Sequence, residues 1–349
     1  MADYSIWVLE YCWVPQAPKG LIEHGAFNGG TVKLPWCYVL IKGQGRVALV
    51  DVGYNHKDYG AVMADSFGVE NWHPSSAVLA ECGVKPADVS HVLITHAHFD
   101  HMGATDDFPN ATFYLQEREL SKWVWAMSLG RRFRWLMGAT DPGDILRAVD
   151  LARQGRLVCM DGDQEDVLPG IDVHAAFDTH TWGSMFVNVR RDGRQPSKDA
   201  YILAGDLIYS YANLEGADPK DPQYVPIGLA SGSQTNLLLS SDKMPRLFGG
   251  EAKRIIPIHD VNLKDVFSLP GDPQQSMPQR DLTCRRRAIA RDMSIANSRN
   301  QGPDWRSNKC SSLIGCCPRG LAERLLSARG RMTALSPSAK SVGISGTSA

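Results

Sequence analysis

The chain has 349 residues, 43% of them hydrophobic, with 37 Lys+Arg against 38 Asp+Glu for a formal net charge of -1. A core of domain size is within reach of such a chain, whereas so even a charge balance supplies no whole-molecule field that would draw in nucleic acid or an anionic membrane. The opening MADYSIWVLEY lacks the basic lead and apolar run of a secretory signal. No stretch nears the roughly 20 apolar residues of a membrane span. A cytoplasmic protein with neither a nucleic-acid nor a membrane partner is therefore expected.

Taken in chain order, Tyr38–Ile41 and Val47–Val50 are rich in β-formers and separated by the turn-prone Lys42-Gly43-Gln44-Gly45, predicting two antiparallel strands. Ala61–Cys82 has weak apolar periodicity and is read as carrying helix, leading to a buried strand at Val92–Thr95. Ala111–Leu115 reads as strand. Gln116–Gly138 reads as helical, with Leu120, Trp123, Met127 and Trp135 on related faces. Strand character resumes at Val167–Phe177, Phe186–Val189, Tyr201–Ala204 and Arg254–Ile258. Strands mixed with helices on both sides of the midpoint suggest an α/β fold of two sheets packed face to face under helices.

From about Pro270 the pattern gives way to Arg285-Arg286-Arg287, scattered Ser and Gly, and Cys316-Cys317. Residues 1–270 are thus read as one folded domain and 271–349 as a disordered or foreign basic tail, with a nucleic-acid- or partner-binding arm as the alternative. The eight cysteines, Cys12, Cys37, Cys82, Cys159, Cys284, Cys310, Cys316 and Cys317, form no CxxC pair and no regular framework. Reduced thiols are expected, and a zinc-thiolate site is not.

The chemistry concentrates in Thr95-His96-Ala97-His98-Phe99-Asp100-His101, directly after an apolar strand, where His96, His98, Asp100 and His101 place four potential ligands within six residues. Imidazoles and carboxylates suit zinc and neighbouring divalent ions. Burying so many polar groups together is costly unless a metal or partners satisfy them. Three further candidates follow strand-like runs: His180, Asp206 in Ile202-Leu203-Ala204-Gly205-Asp206, and His259 in Ile255-Ile256-Pro257-Ile258-His259.

On these residues the sequence resembles the metallo-β-lactamase superfamily, whose pattern is an early Asp after a strand, then HxHxDH, then separated His, Asp and His. Here the early Asp is Asp51, in Ala48-Leu49-Val50-Asp51-Val52-Gly53, and the resemblance runs from about Tyr38 to Phe267. It implies an αββα sandwich with metals at one edge of the paired sheets, making residues 1–270 a hydrolase domain. It also implies two divalent ions, zinc by default with manganese, iron or cobalt as alternatives. His96, His98 and His180 would hold one ion, Asp100, His101 and His259 the other, and Asp206 would bridge them. Asp51 would orient the ligand loop, or else simply make a turn. Where many relatives have a Gly-His-Thr-Pro-Gly type string, Thr179 precedes His180 and Trp182 takes the Pro position. Trp182 then lines the substrate cavity or packs into the core.

Tyr209, three residues after Asp206, resembles the Asp-x-x-Tyr of the N-acyl homoserine lactonase family, whose tyrosine hydrogen-bonds the substrate carbonyl; packing alone is the alternative. The resemblance implies lactone opening by a metal-bridging hydroxide, with Asp100 shuttling the proton to the leaving alkoxide. Other hydrolases on the scaffold, such as a glyoxalase-type thioesterase or an organophosphate hydrolase, form the second reading. A binding module without catalysis would be expected to have lost ligands. The partner is then a small-molecule substrate, with a homodimer left open. The aromatic stretch Trp123-Val124-Trp125-Ala126-Met127, followed by Phe133, Trp135 and Met137, is either a lid over the metals or a helix packed on the sheet.

Overall fold

The computed structural model describes residues 4–216, 218, 220–247, 251–267 and the backbone of 282–285. Strands β1 (Ser5–Pro18), β2 (Thr31–Gly43), β3 (Arg46–Val50), β4 (His91–Leu93), β5 (Thr112–Gln116) and β6 (Leu157–Met160) lie in one sheet. The second sheet holds β7 (Gln164–Leu168), β8 (Ile171–Ala175), β9 (Met185–Arg190), β10 (Ala200–Leu203) and β11 (Ile255–Ile256). A last strand, β12 (Leu282–Arg285), runs parallel to β1 and extends the first sheet to the order β12-β1-β2-β3-β4-β5-β6. It falls within the expected tail, the rest of which lies outside the described residues.

Both sheets are mixed. β1, β2 and β3 pair antiparallel and β3 through β6 parallel, while β7 through β10 form an antiparallel meander to which β11 adds a parallel edge. Alternation along the strands sorts the core. Ile6, Val8, Val39, Ile41, Ala48 and Val50 of the first sheet meet Val173, Met185, Val187, Val189 and Leu203 of the second. The opposite faces, with Leu40, Leu49, Val92, Phe186 and Ile202, pack with helix residues including Met63, Leu79, Trp123, Ile145, Leu237 and Met244. The layering is αββα. Strands covered on both sides read as unbroken apolar runs, which is why β2 is buried from Leu34 to Ile41.

Two expected segments gain an internal boundary, and one expected face is corrected. Val167–Phe177 is a hairpin rather than one strand: β7 and β8 turn at Pro169-Gly170, where Gly170 takes φ 79, a conformation open to glycine. Ala61–Cys82 divides into helices Asp58–Phe67 and Ser75–Ala80, because Gly68 closes the first left-handed and Pro74 precedes the second. Gln116–Gly138 also breaks. An α-helix spans Glu117–Ser128 and a 3-10 helix Arg131–Met137, so Trp135 leaves the face shared by Trp123 and Ala126 and stands exposed. Among the described residues no helix is long and apolar enough to cross a membrane, and Cys12, Cys37, Cys82 and Cys159 form no disulfide.

Candidate metal centre

The polar residues of the site all leave the carboxyl ends of strands. Asp51 follows β3, the 95–101 loop follows β4, His180 lies beyond β8, Asp206 sits in a 3-10 turn after β10, and His259 comes just past β11. Asp51 adopts φ 62, uncommon for a residue with a Cβ, and its carboxylate ties the ligand loop together. Oδ1 accepts from the Thr95 amide at 2.7 Å, and Oδ2 accepts from the Thr95 hydroxyl at 2.9 Å and lies 2.8 Å from His101 Nδ1. Asp51 is thus more than a turn residue. It fixes the loop and one imidazole.

Three of the other rings are held on their outer nitrogens. His180 Nδ1 donates to the Leu229 carbonyl at 2.7 Å and His259 Nδ1 to the Pro35 carbonyl at 2.7 Å, while His96 Nδ1 meets the Thr95 hydroxyl at 3.0 Å. A carbonyl only accepts, so the Nε2 atoms of His180 and His259 present lone pairs inward when these rings are neutral. Those lone pairs face a carboxylate. His259 Nε2 lies 2.9 Å and His101 Nε2 3.0 Å from Asp206 Oδ1, with His180 Nε2 at 3.2 Å and His96 Nε2 at 3.7 Å from Oδ2. His98 joins through Nδ1, 2.9 Å from His180 Nε2, and Asp100 Oδ2 lies 3.4 Å from His101 Nε2.

Acceptors facing acceptors at such distances require a cation or an extra proton between them, and the buried His96 Nε2 and His101 Nε2 have no hydrogen-bond partner. The residues therefore fit a metal. Five imidazoles and two carboxylates fall into two groups, His96, His98, His180 and Asp206, and Asp100, His101, Asp206 and His259, with ligand atoms in each within 4.8 Å of one another. All seven candidate ligands come together, divided as the resemblance divides them, with Asp206 in both groups. A nitrogen and oxygen donor set without thiolate suits zinc and other first-row divalent ions.

The electrostatics run the same way. Burial, then the neighbouring His180, pushes His98 down to about 3, and burial with His101 holds His96 well below the usual imidazole range. Burial favours protonation of Asp206, but His101, His259 and His96 outweigh it and keep the carboxylate ionised. His101 and His259 shift upward despite burial, drawn chiefly by Asp206.

Sequence reasoning missed Glu119. This wholly buried carboxylate accepts from the Ala97 amide (2.8 Å) and Trp123 Nε1 (2.7 Å) on Oε1, and from the Thr181 hydroxyl (2.8 Å) and Gly183 amide (2.7 Å) on Oε2. It joins the His96–His98 loop to the His180 loop. Burial raises its pKa, and those four donors oppose the rise. The approach is close enough that a Cβ on Gly183 would stand 2.2 Å from the Glu119 nitrogen, so only glycine fits. No local signal in Glu117-Arg118-Glu119 marks the residue, because its partners are distant in sequence.

Trp182 packs its ring 4.7 Å from Trp123, which in turn sits 5.9 Å from His98, so it buttresses a ligand from behind. A cavity of about 90 Å³ opens onto His98, Asp100, Asp206, Tyr209 and His259, with apolar walls that include Val14, Leu34, Trp36, Phe67 and Leu229. The Tyr209 hydroxyl donates to Asp206 Oδ2 at 3.0 Å, and burial followed by the Asp206 charge keeps it un-ionised.

Comparisons with known proteins agree with this geometry. Residues 30–247 match the family described as the metallo-beta-lactamase superfamily. A probable metallo-hydrolase of Mycobacterium tuberculosis is 26% identical over 135 residues, covering 35% of this chain and 43% of that protein, so less than half of the relative is matched. An N-acyl homoserine lactonase of Bacillus cereus is 29% identical over 101 residues, 26% of this chain and 40% of that one. Among solved structures, an N-acyl homoserine lactone hydrolase with N-hexanoyl-L-homoserine at its catalytic metal centre superposes with a TM-score of 0.59 at 18% identity, covering 78% of this chain and 99% of that one. The family match extends over most of the described fold and includes the ligand loop, His180 and Asp206. This chain belongs to the metallo-β-lactamase superfamily.

Proposed function

We propose that the protein is a dinuclear metal-dependent hydrolase that opens a lactone, either an N-acyl homoserine lactone or another small cyclic ester. The observation that carries this reading is Asp206 shared by two four-residue ligand groups, with the Tyr209 hydroxyl 3.0 Å from its carboxylate. Similarity to lactonases supports the choice of ester. Divalent ions held there, zinc by donor type, would lower the pKa of water and polarise a carbonyl.

The chain's own residues supply the rest. Tyr209, held un-ionised, would turn its single O–H from Asp206 to the ester carbonyl oxygen as charge builds on it. Asp100 lines the cavity as a buried carboxylate. Burial acts against its ionised form, but His101 lowers its pKa overall, leaving it able to accept a proton from the attacking water and return it to the ring oxygen when the C–O bond breaks. The apolar wall from Val14 to Leu229 excludes bulk water and seats hydrocarbon.

The test is proton release by the metal-replete protein on short- and long-chain N-acyl homoserine lactones, a γ-lactone, a glutathione thioester and a phosphotriester. Chelator-sensitive acid release from the lactones is expected. Inert lactones alongside a thioester or phosphotriester that turns over would reassign the substrate and leave the metal centre standing. In Tyr209→Phe, kcat is expected to fall on the order of 10- to 100-fold with metal content unchanged. Wild-type kinetics in that variant would remove the tyrosine's role.

A further inference from the structure

The segment after the Glu117–Ser128 helix takes no part in the chemistry above, yet it presents a combination rarely left bare. Phe133 is 55% and Trp135 74% exposed, and on the helix that immediately precedes them in the chain Val124 is 44% and Trp125 48% exposed. Interleaved with them, Arg131, Arg132 and Arg134 are exposed and make no ion pair among the described residues. Lys122 adds a further cation, 5.4 Å from the Trp125 ring. Large exposed apolar side chains gathered in one place mark a surface that meets something.

Contrary to the expectation from composition, and although a formal net charge of -1 gives no overall attraction, we propose that this local patch docks the protein on an anionic lipid surface. Aromatic rings settle at the headgroup level, and arginines beside them meet lipid phosphates, so the two residue types are satisfied by one partner. Charge argues against a second copy, since a two-fold contact centred here would set the three arginines against their own equivalents. Position argues for a role in substrate supply. Ala139, just past the segment, lines the cavity and accepts from the Phe99 amide at 2.9 Å. Trp125 reaches the site through Trp182 (5.9 Å), Trp123 and His98. A protein seated by this patch holds its cavity near a bilayer in which lipophilic molecules dissolve. The docking does not depend on which ester is opened, so its failure leaves the proposed reaction untouched.

The experiment is co-sedimentation of the full chain with vesicles of phosphatidylcholine alone or with one quarter phosphatidylglycerol, in low and high salt. Binding is expected only to the anionic vesicles and is expected to weaken with salt. Replacing Arg131, Arg132 and Arg134 together with Ser should reduce partitioning on the order of 100-fold, at about fivefold per arginine. Trp135→Ser with Phe133→Ser should also reduce it, and unchanged metal content in both variants shows that the fold persists. A control replaces Arg285, Arg286 and Arg287. Loss of binding in that control but not in the patch variants would overturn the proposal. So would equal binding to neutral vesicles, no binding to either, or a patch whose removal abolishes only self-association or only binding of a single-stranded oligonucleotide.

Discussion

Asp206→Ala is expected to lose both metal and turnover, the latter by on the order of 10³-fold or more, as when catalytic groups act as a unit. The carboxylate belongs to both ligand groups and is the common neighbour of His96, His101, His180 and His259. Without it, each group keeps three ligands, and the buried imidazoles lose the charge that offsets a cation's desolvation. Asp206→Asn sharpens the test by keeping the volume and removing the charge, and it should fail alongside the alanine variant. Metal per chain after gel filtration, measured beside hydrolysis, decides the matter. An asparagine variant that retains its full metal complement would show that the shared charge is not what holds metal there.

Glu119→Ala is expected to cost the most stability of any single change near the site. It leaves three buried donors, the Ala97 and Gly183 amides and the Trp123 indole, without their acceptor, and leaves the Thr181 hydroxyl only Ser184 Oγ at 2.7 Å. At about 1–3 kcal/mol for each unsatisfied group, the loss is on the order of 4 kcal/mol or more. Much of an ordinary domain's stability would go with it. Glu119→Gln is expected to fall between, because its amide nitrogen must face two donors on one side. Denaturant midpoints in the presence and absence of zinc measure the effect. An alanine variant as stable as the parent would mean that water replaces the carboxylate. Because Glu119 joins two ligand loops, weaker metal retention should accompany lower stability.

Much of this site was legible in the linear chain because its signal is local. His96, His98, Asp100 and His101 announce themselves by spacing alone, and Asp51, His180, Asp206 and His259 each follow an apolar run that does form a strand. The β2–β3 hairpin was legible for the same reason. The strand Ser5–Pro18 was not, although at 14 residues it is the longest among the described residues. Its register shifts between Glu10 and Cys12 and again between Val14 and Ala17, and these irregularities break the alternation by which a strand is recognised. The Pro169-Gly170 turn carried a legible signal that was read through. Glu119 is invisible for a deeper reason. A carboxylate in a polar string looks solvated until Ala97 and Gly183 are brought to it from other parts of the chain.

The division of the ligands between the sheets has a consequence for how the protein comes together. Each four-residue group draws two members from the loop after β4 and two from the ends of the second sheet's strands. Neither half of the chain can make a complete coordination sphere by itself, so during synthesis the early histidines emerge as a weak binder and stay one until the later strands arrive. Ion capture then reports that the two halves have met in register, and a captured ion cross-links segments far apart in the sequence. A chain whose sheets pair wrongly would bring together no more than half of either ligand group.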